Sequence, residues 1–339
     1  MAAGIKVLRK VQVGHEHVAA GTVHAATTLL VGTGTLEDTR EVVFQTGDVG
    51  HYSGSGLTRT AKYGGKLEYE QDASFEQLPI LLSAAVDNVV TGAADGGGSG
   101  KIYDYVFANT APKASIATWS IEAGDNVQAE VMNYSYVPSF TLSGKGGDPI
   151  SLKASWQGAK VATQAYTTGI TVPTVEAVLF SRGVLAIDDS GDTIGATPVS
   201  HTFLGMDFKV ESGWKEVWTA DGLADPTFSF LKQTEPNTTL DITFEHETTS
   251  IAEKANWRNE VWRKLRLKFE GSALGTGATY TKKTLIIDLM GKWIKFEKLD
   301  EQDGNDIIHG VFQVKYSDAA LDLLSAEIKV VNEISTITS

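Results

Sequence analysis

The sequence predicts a mainly β protein made of two copies of one unit, each with a single α-helix. Apolar and polar residues alternate with a period of two along much of the chain. The 34 glycines fall mostly in short polar breaks, so the elements are short and the turns frequent. Two isolated segments with helical spacing occupy matching places in the two halves. We expect β-sandwich or open-barrel domains at residues 1–168, with an N-terminal arm, and 169–339, with a C-terminal extension.

The strand pattern is clear in the second half, where Met206, Phe208 and Val210 alternate with Asp207 and Lys209. Residues that point alternately to opposite faces of a strand give this pattern when one face is buried and the other is solvated. Similar alternation occurs at residues 118–122, 150–155, 240–245, 265–269 and 312–316. These segments are predicted to be half-buried antiparallel strands.

The first predicted helix starts at Ser74, because Gln77 three residues later completes a capping box. Apolar residues follow at helical spacing, namely Phe75, Leu78, Leu82 and Ala85. Pro79 falls in the first turn, where proline is tolerated.

The second predicted helix starts at Ser250, with Glu253 as its capping partner. It leads into the apolar residues Ile251, Trp257, Val261 and Leu265.

The elements around the two helices follow one order, which indicates an internal repeat without residue identity. After the helices, residues 103–107 are expected to correspond to 265–269 and residues 117–121 to 285–289. Residues 132–136 would correspond to 293–296, and residues 150–156 to 312–316. The two copies would join near residues 167–173.

Composition excludes several classes of function. The net charge of −13 gives no basic surface for gripping nucleic acid. With no cysteine, the chain has no disulfide framework, thiolate metal site or cysteine nucleophile, which suits a reducing cytoplasm. No apolar stretch approaches the 18 or so residues of a membrane span, so no membrane partner is expected.

Catalytic and cofactor motifs are weak. Residues 95–102 (DGGGSGKI) resemble a phosphate loop, but Asp95 replaces its first glycine and Ile102 its Ser or Thr, which favours a flexible connector. His15, His17 and His24 lack the accompanying ligands of a metal site. The pairs Glu68/Glu70 and Glu245/Glu247 lie two apart on strands, a spacing typical of a solvated face. His201, His246 and His309 have no visible catalytic partners. We expect no enzyme activity, no catalytic residues, no metal and no cofactor.

The N-terminal stretch VQVGHEHVAAGTVHAATTLLVG carries Gly14, Glu16 and the pair Gly21 and Thr22. It precedes the segments SGSGL and GGKLEYE, the helix SFEQLPILLSAAVDN, and then ATWSIEAGDN and PSFTLSG. This ordered combination resembles the major tail tube proteins of long-tailed, non-contractile bacteriophages (siphophages). The resemblance covers nearly all of the first half, and the second half matches it in architecture.

The resemblance implies a structural virion protein. Such proteins form stacked rings of six tube domains whose inner sheets close into a β-barrel around a pore for DNA ejection, with the helices outside. A chain with two tube domains would need three copies per ring. The expected partners are other copies of the chain and the tape measure, tail terminator and tip proteins. DNA would pass through without specific binding, and the protein would lie in the virion tail after assembly in the host cytoplasm.

Charge adds a hypothesis about the pore. Acidic side chains on the pore surface would repel DNA and reduce drag, because each phosphate neutralised by a basic group adds affinity. The polar faces of the strands before the helices offer Glu68, Glu70, Asp241 and Glu245 as candidate lumen residues.

The segments outside the repeat would supply ring-to-ring contacts. They are residues 1–40, 47–65, 214–236 and the end from residue 318. Trp214 and Trp218 are candidates for such contacts, and the alternative is that both are core residues.

Other functions share the strand-rich pattern. A β-sandwich adhesin or a capsid decoration protein would be a non-catalytic binding protein without ring closure. A carbohydrate-active enzyme would turn over polysaccharide. The tube protein of a bacterial secretion system would share the fold and assembly of a phage tube, so sequence alone leaves that alternative open.

Overall fold

The fold is mainly β, as predicted. The computed structural model describes residues 4–44, 47, 50–52, 56, 58–222, 224–317 and 325–338. Strands account for 51% of the residues and helical segments for 8%, and the described part contains two α-helices. The strands form large antiparallel sheets.

The first half contains the 3-10 turn η1 (Lys6–Leu8) and helix α1 (Leu78–Ala85). Its strands are β1 (Lys10–His15), β2 (Thr28–Leu30), β3 (Thr33–Asp38), β4 (Glu41–Phe44), β5 (Thr58–Lys62), β6 (Gly65–Asp72), β7 (Ala93–Ala94), β8 (Lys101–Val106), β9 (Trp119–Gly124), β10 (Ala129–Lys145), β11 (Ser151–Gly158) and β12 (Lys160–Thr163).

The second half contains the 3-10 turn η2 (Phe180–Arg182) and helix α2 (Thr248–Arg258). Its strands are β13 (Gly183–Asp189), β14 (Pro198–Val199), β15 (Phe203–Glu211), β16 (Trp214–Val217), β17 (Phe230–Gln233), β18 (Asn237–Glu245), β19 (Arg263–Ala273), β20 (Lys282–Phe296), β21 (Asp300–Gln302), β22 (Asn305–Val314) and β23 (Ala326–Asn332).

One eight-stranded sheet, called the long sheet below, runs through both halves. Its order is β3-β6-β11-β10-β15-β18-β22-β20, with every neighbouring pair antiparallel. Of the two longest strands, only residues 139–145 of β10 and residues 291–296 of β20 run along this sheet, and the β20 segment has a register shift between Trp293 and Lys295. The first four strands and the last four therefore follow the same connection pattern.

Two smaller sheets pack on the long sheet. The first outer sheet has the order β2-β1-β9-β10-β12, and the second has the order β14-β13-β19-β20-β23. The first parts of the long strands β10 and β20 lie in these sheets, so each strand bends from one layer into the other. We call residues from β1 to β12 the first repeat and residues from β13 to β23 the second repeat.

The strand pairing corrects half of the predicted correspondences. In the two outer sheets, β9 of the first repeat occupies the same place as β19 of the second. The predicted correspondences of residues 103–107 with 265–269 and of residues 117–121 with 285–289 were therefore wrong by one strand. The error comes from β8, which has no counterpart because α2 ends at Arg258 and β19 begins at Arg263. Strand β8 instead pairs with β23 and extends the second outer sheet. The correspondences of β10 with β20 and of β11 with β22 are as predicted.

The chain ends also differ from the expectation. Residues 10–38, predicted to lie in an N-terminal arm, form β1, β2 and β3 within the sheets. In the C-terminal stretch, β23 pairs with β20 as β12 pairs with β10. Residues 318–324 lie outside the described residues. The predicted boundary at residue 168 falls between β12 and η2, and the independence of the two domains stays a prediction.

Both predicted helices are present with shifted ends. Helix α1 begins after Gln77, and its eight residues are all buried. Helix α2 is capped by Glu247, whose carboxylate accepts a hydrogen bond from the Thr249 amide. In return, the Glu247 amide donates a hydrogen bond to Ser250 Oγ. Glu253 was therefore the wrong capping partner, and Leu265, predicted to continue the helix, lies in β19.

The core lies between the long sheet and the outer sheets. Leu67, Phe208, Leu240 and Phe312 each have no more than 1% of their surface exposed and line the inner face of the long sheet. They belong to one apolar cluster that spans both repeats. Burial of each such side chain contributes about 1.5–3 kcal/mol, so the cluster ties the two repeats together.

Candidate assembly site

The outer face of the long sheet is polar and open. Glu68 and Glu70 alternate with the buried Leu67 and Tyr69 on β6. Asp241 and Glu245 lie on the corresponding face of β18. The structure therefore brings all four candidate lumen residues onto one continuous surface, called the polar face below.

Acidic side chains outnumber basic ones on the polar face. The strand registers place on it Glu37, Glu68, Glu70, Asp72, Asp207, Glu211, Asp241 and Glu245, together with Lys66, Lys145, Lys153, Lys209 and Lys295. The excess is small, so the face carries a mixed charge pattern with a weak negative balance.

Three of the candidate lumen residues have a lysine beside them. Lys66 Nζ lies 2.6 Å from Glu68, Lys153 Nζ lies 3.3 Å from Glu70, and Lys209 Nζ lies 2.7 Å from Asp241. The hydrogen bond to Glu68 raises the pKa of Lys66, and the hydrogen bond to Asp241 raises the pKa of Lys209. These pairs are exposed, so they contribute little to stability, but they reduce the local negative field.

A groove crosses the polar face near the middle of the long sheet. Its volume is about 730 Å³, and its lining includes Asp72, Lys145, Asp207, Asp241 and His309. It lies where the first repeat meets the second.

The junction of the repeats shows how one repeat binds another. Residues 139–145 of β10 pair with residues 205–211 of β15 in seven antiparallel pairs. The counterpart edges at the ends of the long sheet are β3, which pairs with β6, and residues 291–296 of β20, which pair with β22. Among the described residues, no strand pairs with the outer side of β3, and the outer side of the β20 segment is paired only at Gly291, with Arg263 of β19.

Each repeat carries a two-stranded hairpin between the first two strands of its half of the long sheet. The first arm is β4 and β5, and the second arm is β16 and β17. The first arm was not predicted as a structured element, although the apolar residues Val42, Val43 and Phe44 amid polar neighbours were a usable signal. Within the predicted segment 47–65, residues 48, 49, 53–55 and 57 lie outside the described residues.

The second arm folds onto the first repeat of its own chain. Trp214 is 3% exposed and packs in a cluster with Ile116, Tyr136, Ala159 and Phe228. Trp214 is therefore a core residue, which was the alternative to a role in ring-to-ring contacts. Trp218 is 37% exposed, with Lys62 Nζ 5.4 Å from its ring centroid. A ring-to-ring contact stays a prediction for Trp218.

The N-terminal residues that carry the resemblance form a buried hydrogen-bond network. The Glu16 carboxylate accepts from the amides of Gly21 and Tyr134 at 2.7 and 2.8 Å and from the hydroxyls of Thr118 and Ser120 at 2.9 Å. Gly21 has a φ of +84°, which suits glycine. Glu16 therefore fixes the loop after β1 to β9 and β10.

The histidines near the N-terminus lie together. The rings of His17 and His24 are 4.5 Å apart between centroids, and those of His15 and His17 are 6.2 Å apart. Burial, together with the charges of the other two histidines, lowers the pKa of His15. Among the described residues, no group of three or more His, Asp or Glu side chains has the geometry to hold a metal ion.

The phosphate-loop resemblance has a structural explanation. Residues 95–100 form the connection between β7 and β8, which pair as a hairpin. The predicted flexibility of this connector stays a prediction. Asp95 is 1% exposed and accepts from the amides of Thr279 and Tyr280 at 3.1 and 2.8 Å. These bonds, chiefly the one from Tyr280, lower the pKa of Asp95. Asp95 thus joins the β7–β8 hairpin to the second repeat.

Comparisons with known proteins give no family assignment. No family model matches the chain, and no curated protein matches it significantly. Within the described residues, no helix is long and apolar enough to cross a membrane.

Proposed function

We propose that this chain is the subunit of a tube made of stacked rings, of the kind that forms the tail tube of a siphophage and conducts DNA. The observation that carries the proposal is the junction of β10 with β15, together with the two counterpart edges at the ends of the long sheet. A second copy can extend the sheet at β3 or at residues 291–296 of β20 in the same way. Closure of the series removes both edges, which otherwise favour aggregation.

The polar face supports a pore lining. A closed series of long sheets would place Glu68, Glu70, Asp241 and Glu245 toward the lumen and the apolar layer outward. With the neighbouring lysines paired to carboxylates, this lining offers phosphates few unpaired cations, so DNA would slide with little drag. Three chains would supply six repeats per ring, as the resemblance implies.

The first test is negative-stain electron microscopy of the purified protein at high concentration, paired with mass photometry. We expect hollow tubes with a regular axial repeat, or rings with the mass of three chains. A protein that stays monomeric at every concentration, also when mixed with its tail-tip complex, would contradict the proposal.

An interface variant makes the test sharper. Ile5 precedes η1 as Leu179 precedes η2, and Leu179 forms a bridge with Pro149 at the junction of the repeats. Ile5 is 49% exposed, so Ile5→Asp is expected to weaken ring formation while the monomer folds normally. Ile251→Asp is the matched control, because Ile251 is 54% exposed on α2, which the proposal places on the outside of the tube. Equal assembly of the two variants would count against the proposed edge.

A further inference from the structure

The two arms occupy equivalent places but have different surroundings. The first arm links β3 to β6, and the second arm links β15 to β18. The second arm is docked within the chain, so it shows which surface of a repeat an arm binds.

The docked face of the second arm is aromatic and hydrogen-bonded. The Phe228 ring lies 4.6 Å from the Tyr134 ring and 6.3 Å from the Tyr136 ring, between centroids. Gln233 Oε1 accepts from the Lys113 amide at 2.7 Å, and Lys160 Nζ lies 2.5 Å from Asp225. The second arm thus covers the first repeat beside β10 and the β11–β12 turn.

The first arm presents a similar face that is open. Val42 and Phe44 are 52% and 67% exposed. They lie opposite Thr60 and Thr58 in the hairpin, so the four side chains share one face. Two large apolar residues on one face of a short hairpin form a small docking surface.

The second repeat has the counterpart of the surface that the second arm covers. The amide of Ala159 donates to Asn133 O at 2.9 Å in the first repeat, and the amide of Lys315 donates to Met290 O at 3.0 Å in the second. These matching bonds place the counterpart surface around Lys315 and its neighbour Tyr316.

This counterpart, called the Trp262 surface, comprises Trp262, Lys292, Lys315 and Tyr316. Tyr316 is 42% exposed, and Lys292 Nζ lies 5.0 Å from the centroid of the partly buried Trp262 ring. It therefore offers aromatic side chains with flanking lysines, as the surface under the second arm offers Tyr134, Tyr136 and Lys160.

We propose that the first arm of one copy docks through Val42 and Phe44 on the Trp262 surface of a second copy. The inference rests on the proposed function, since a neighbour that pairs with β3 brings its second repeat beside the first arm. The second arm makes the same contact inside the chain, so every arm in a ring covers the preceding repeat. The contact adds a lateral clamp to the sheet pairing.

Cross-linking tests the contact directly, because the natural chain has no cysteine. Chains with Phe44→Cys are mixed with chains carrying Tyr316→Cys, oxidised, and separated under non-reducing conditions. We expect a disulfide-linked dimer, which is intermolecular by construction. The control replaces Phe44→Cys with Phe230→Cys, since Phe230 is 47% exposed on the outward face of the second arm. Dimer formation no stronger than in this control would overturn the docking proposal.

A substitution gives an independent measurement. Phe44→Ser is expected to raise the concentration needed for half-maximal assembly about tenfold, the size of effect when an aromatic anchor is lost. Phe230→Ser is expected to leave that concentration unchanged. If tubes form and the two variants have the same concentration for half-maximal assembly, the arm contact is refuted and the proposed tube function still stands. If the natural chain forms no rings or tubes, the proposed function fails, and the cysteine mixture still decides whether the arm binds a second copy.

Discussion

The ion pair under α2 is the clearest test of how the helix is held to the sheets. Glu253 is 3% exposed on α2. Its carboxylate accepts from Nε and Nη2 of Arg263 at 3.1 and 2.7 Å, from Trp293 Nε1 at 2.8 Å, and from Asn256 Nδ2 at 3.1 Å. One carboxylate therefore joins the helix to β19 and to the bend of β20.

Replacing Glu253 with alanine leaves buried donors without an acceptor. Arg263 is 8% exposed, and its remaining carboxylate partner is the exposed Asp189. Loss of one partner from a buried ion pair costs about 3–5 kcal/mol. Because Asp189 keeps part of the guanidinium paired, we expect Glu253→Ala to lower the free energy of unfolding by about 3 kcal/mol.

Urea unfolding followed by tryptophan fluorescence, at concentrations where the chain is monomeric, measures this change. The variants Glu253→Ala, Arg263→Ala and the double variant form a cycle, with an expected coupling of about 2 kcal/mol. Glu235→Ala removes an exposed ion pair with Lys315 and serves as the control, with no resolvable change expected. A loss for Glu253→Ala no larger than the control, or a coupling near zero, would refute this account.

Three further predictions concern pH, the N-terminal loop and the polar face. Burial, with a smaller contribution from Glu327, raises the pKa of Asp104 to about 7. The contribution of Asp104 to the free energy of unfolding is therefore fully present below the ordinary pKa of an aspartate and is lost as the pH rises through 7. We expect Asp104→Asn to raise the melting temperature at pH 8 and to flatten its dependence between pH 5 and 8, and an unchanged pH profile would exclude this role. Glu16→Ala is expected to speed hydrogen exchange at the Gly21 and Tyr134 amides, measured by mass spectrometry, while exchange in β18 serves as the control. Glu68→Lys with Asp241→Lys is expected to make assembled tubes retain DNA at low salt and to slow DNA ejection; unchanged retention and ejection would remove the lumen assignment.

The fold class followed from the sequence because its signal is local. Alternation at Met206, Phe208 and Val210 reports the two faces of one strand, and β15 has the predicted register. The order of connections was less accessible, because it depends on contacts distant in sequence. The pairing of β8 with β23 is one example. Nothing in the sequence near Lys101–Val106 shows whether this strand pairs within the first repeat or joins a sheet of the second repeat.

The candidate site was predictable only in part. The polar faces of β6 and β18 were visible in the sequence, since period two places Glu68 and Glu70 on one side. The lysines that pair with them were not assigned, because Lys153 and Lys209 come from other strands and meet these carboxylates only through the sheet register. Trp214 shows the same limit, since its burial depends on Ile116 and Ala159 of the first repeat.

The asymmetry between the repeats explains how two otherwise similar sheet edges are protected. Strand β23 is covered by β8 from the first repeat. Its counterpart β12 is only four residues long, and its Lys160 forms an ion pair with Asp225 of the second arm. Short strands and lysine at an edge both oppose unwanted pairing. The β8–β23 pairing and the Lys160–Asp225 ion pair both join one repeat to the other. Each repeat therefore needs the other to protect one of its edges. Physical linkage in one chain guarantees that partner. In the proposed ring, the segments left to bind other copies are β3, residues 291–296 of β20 and the first arm.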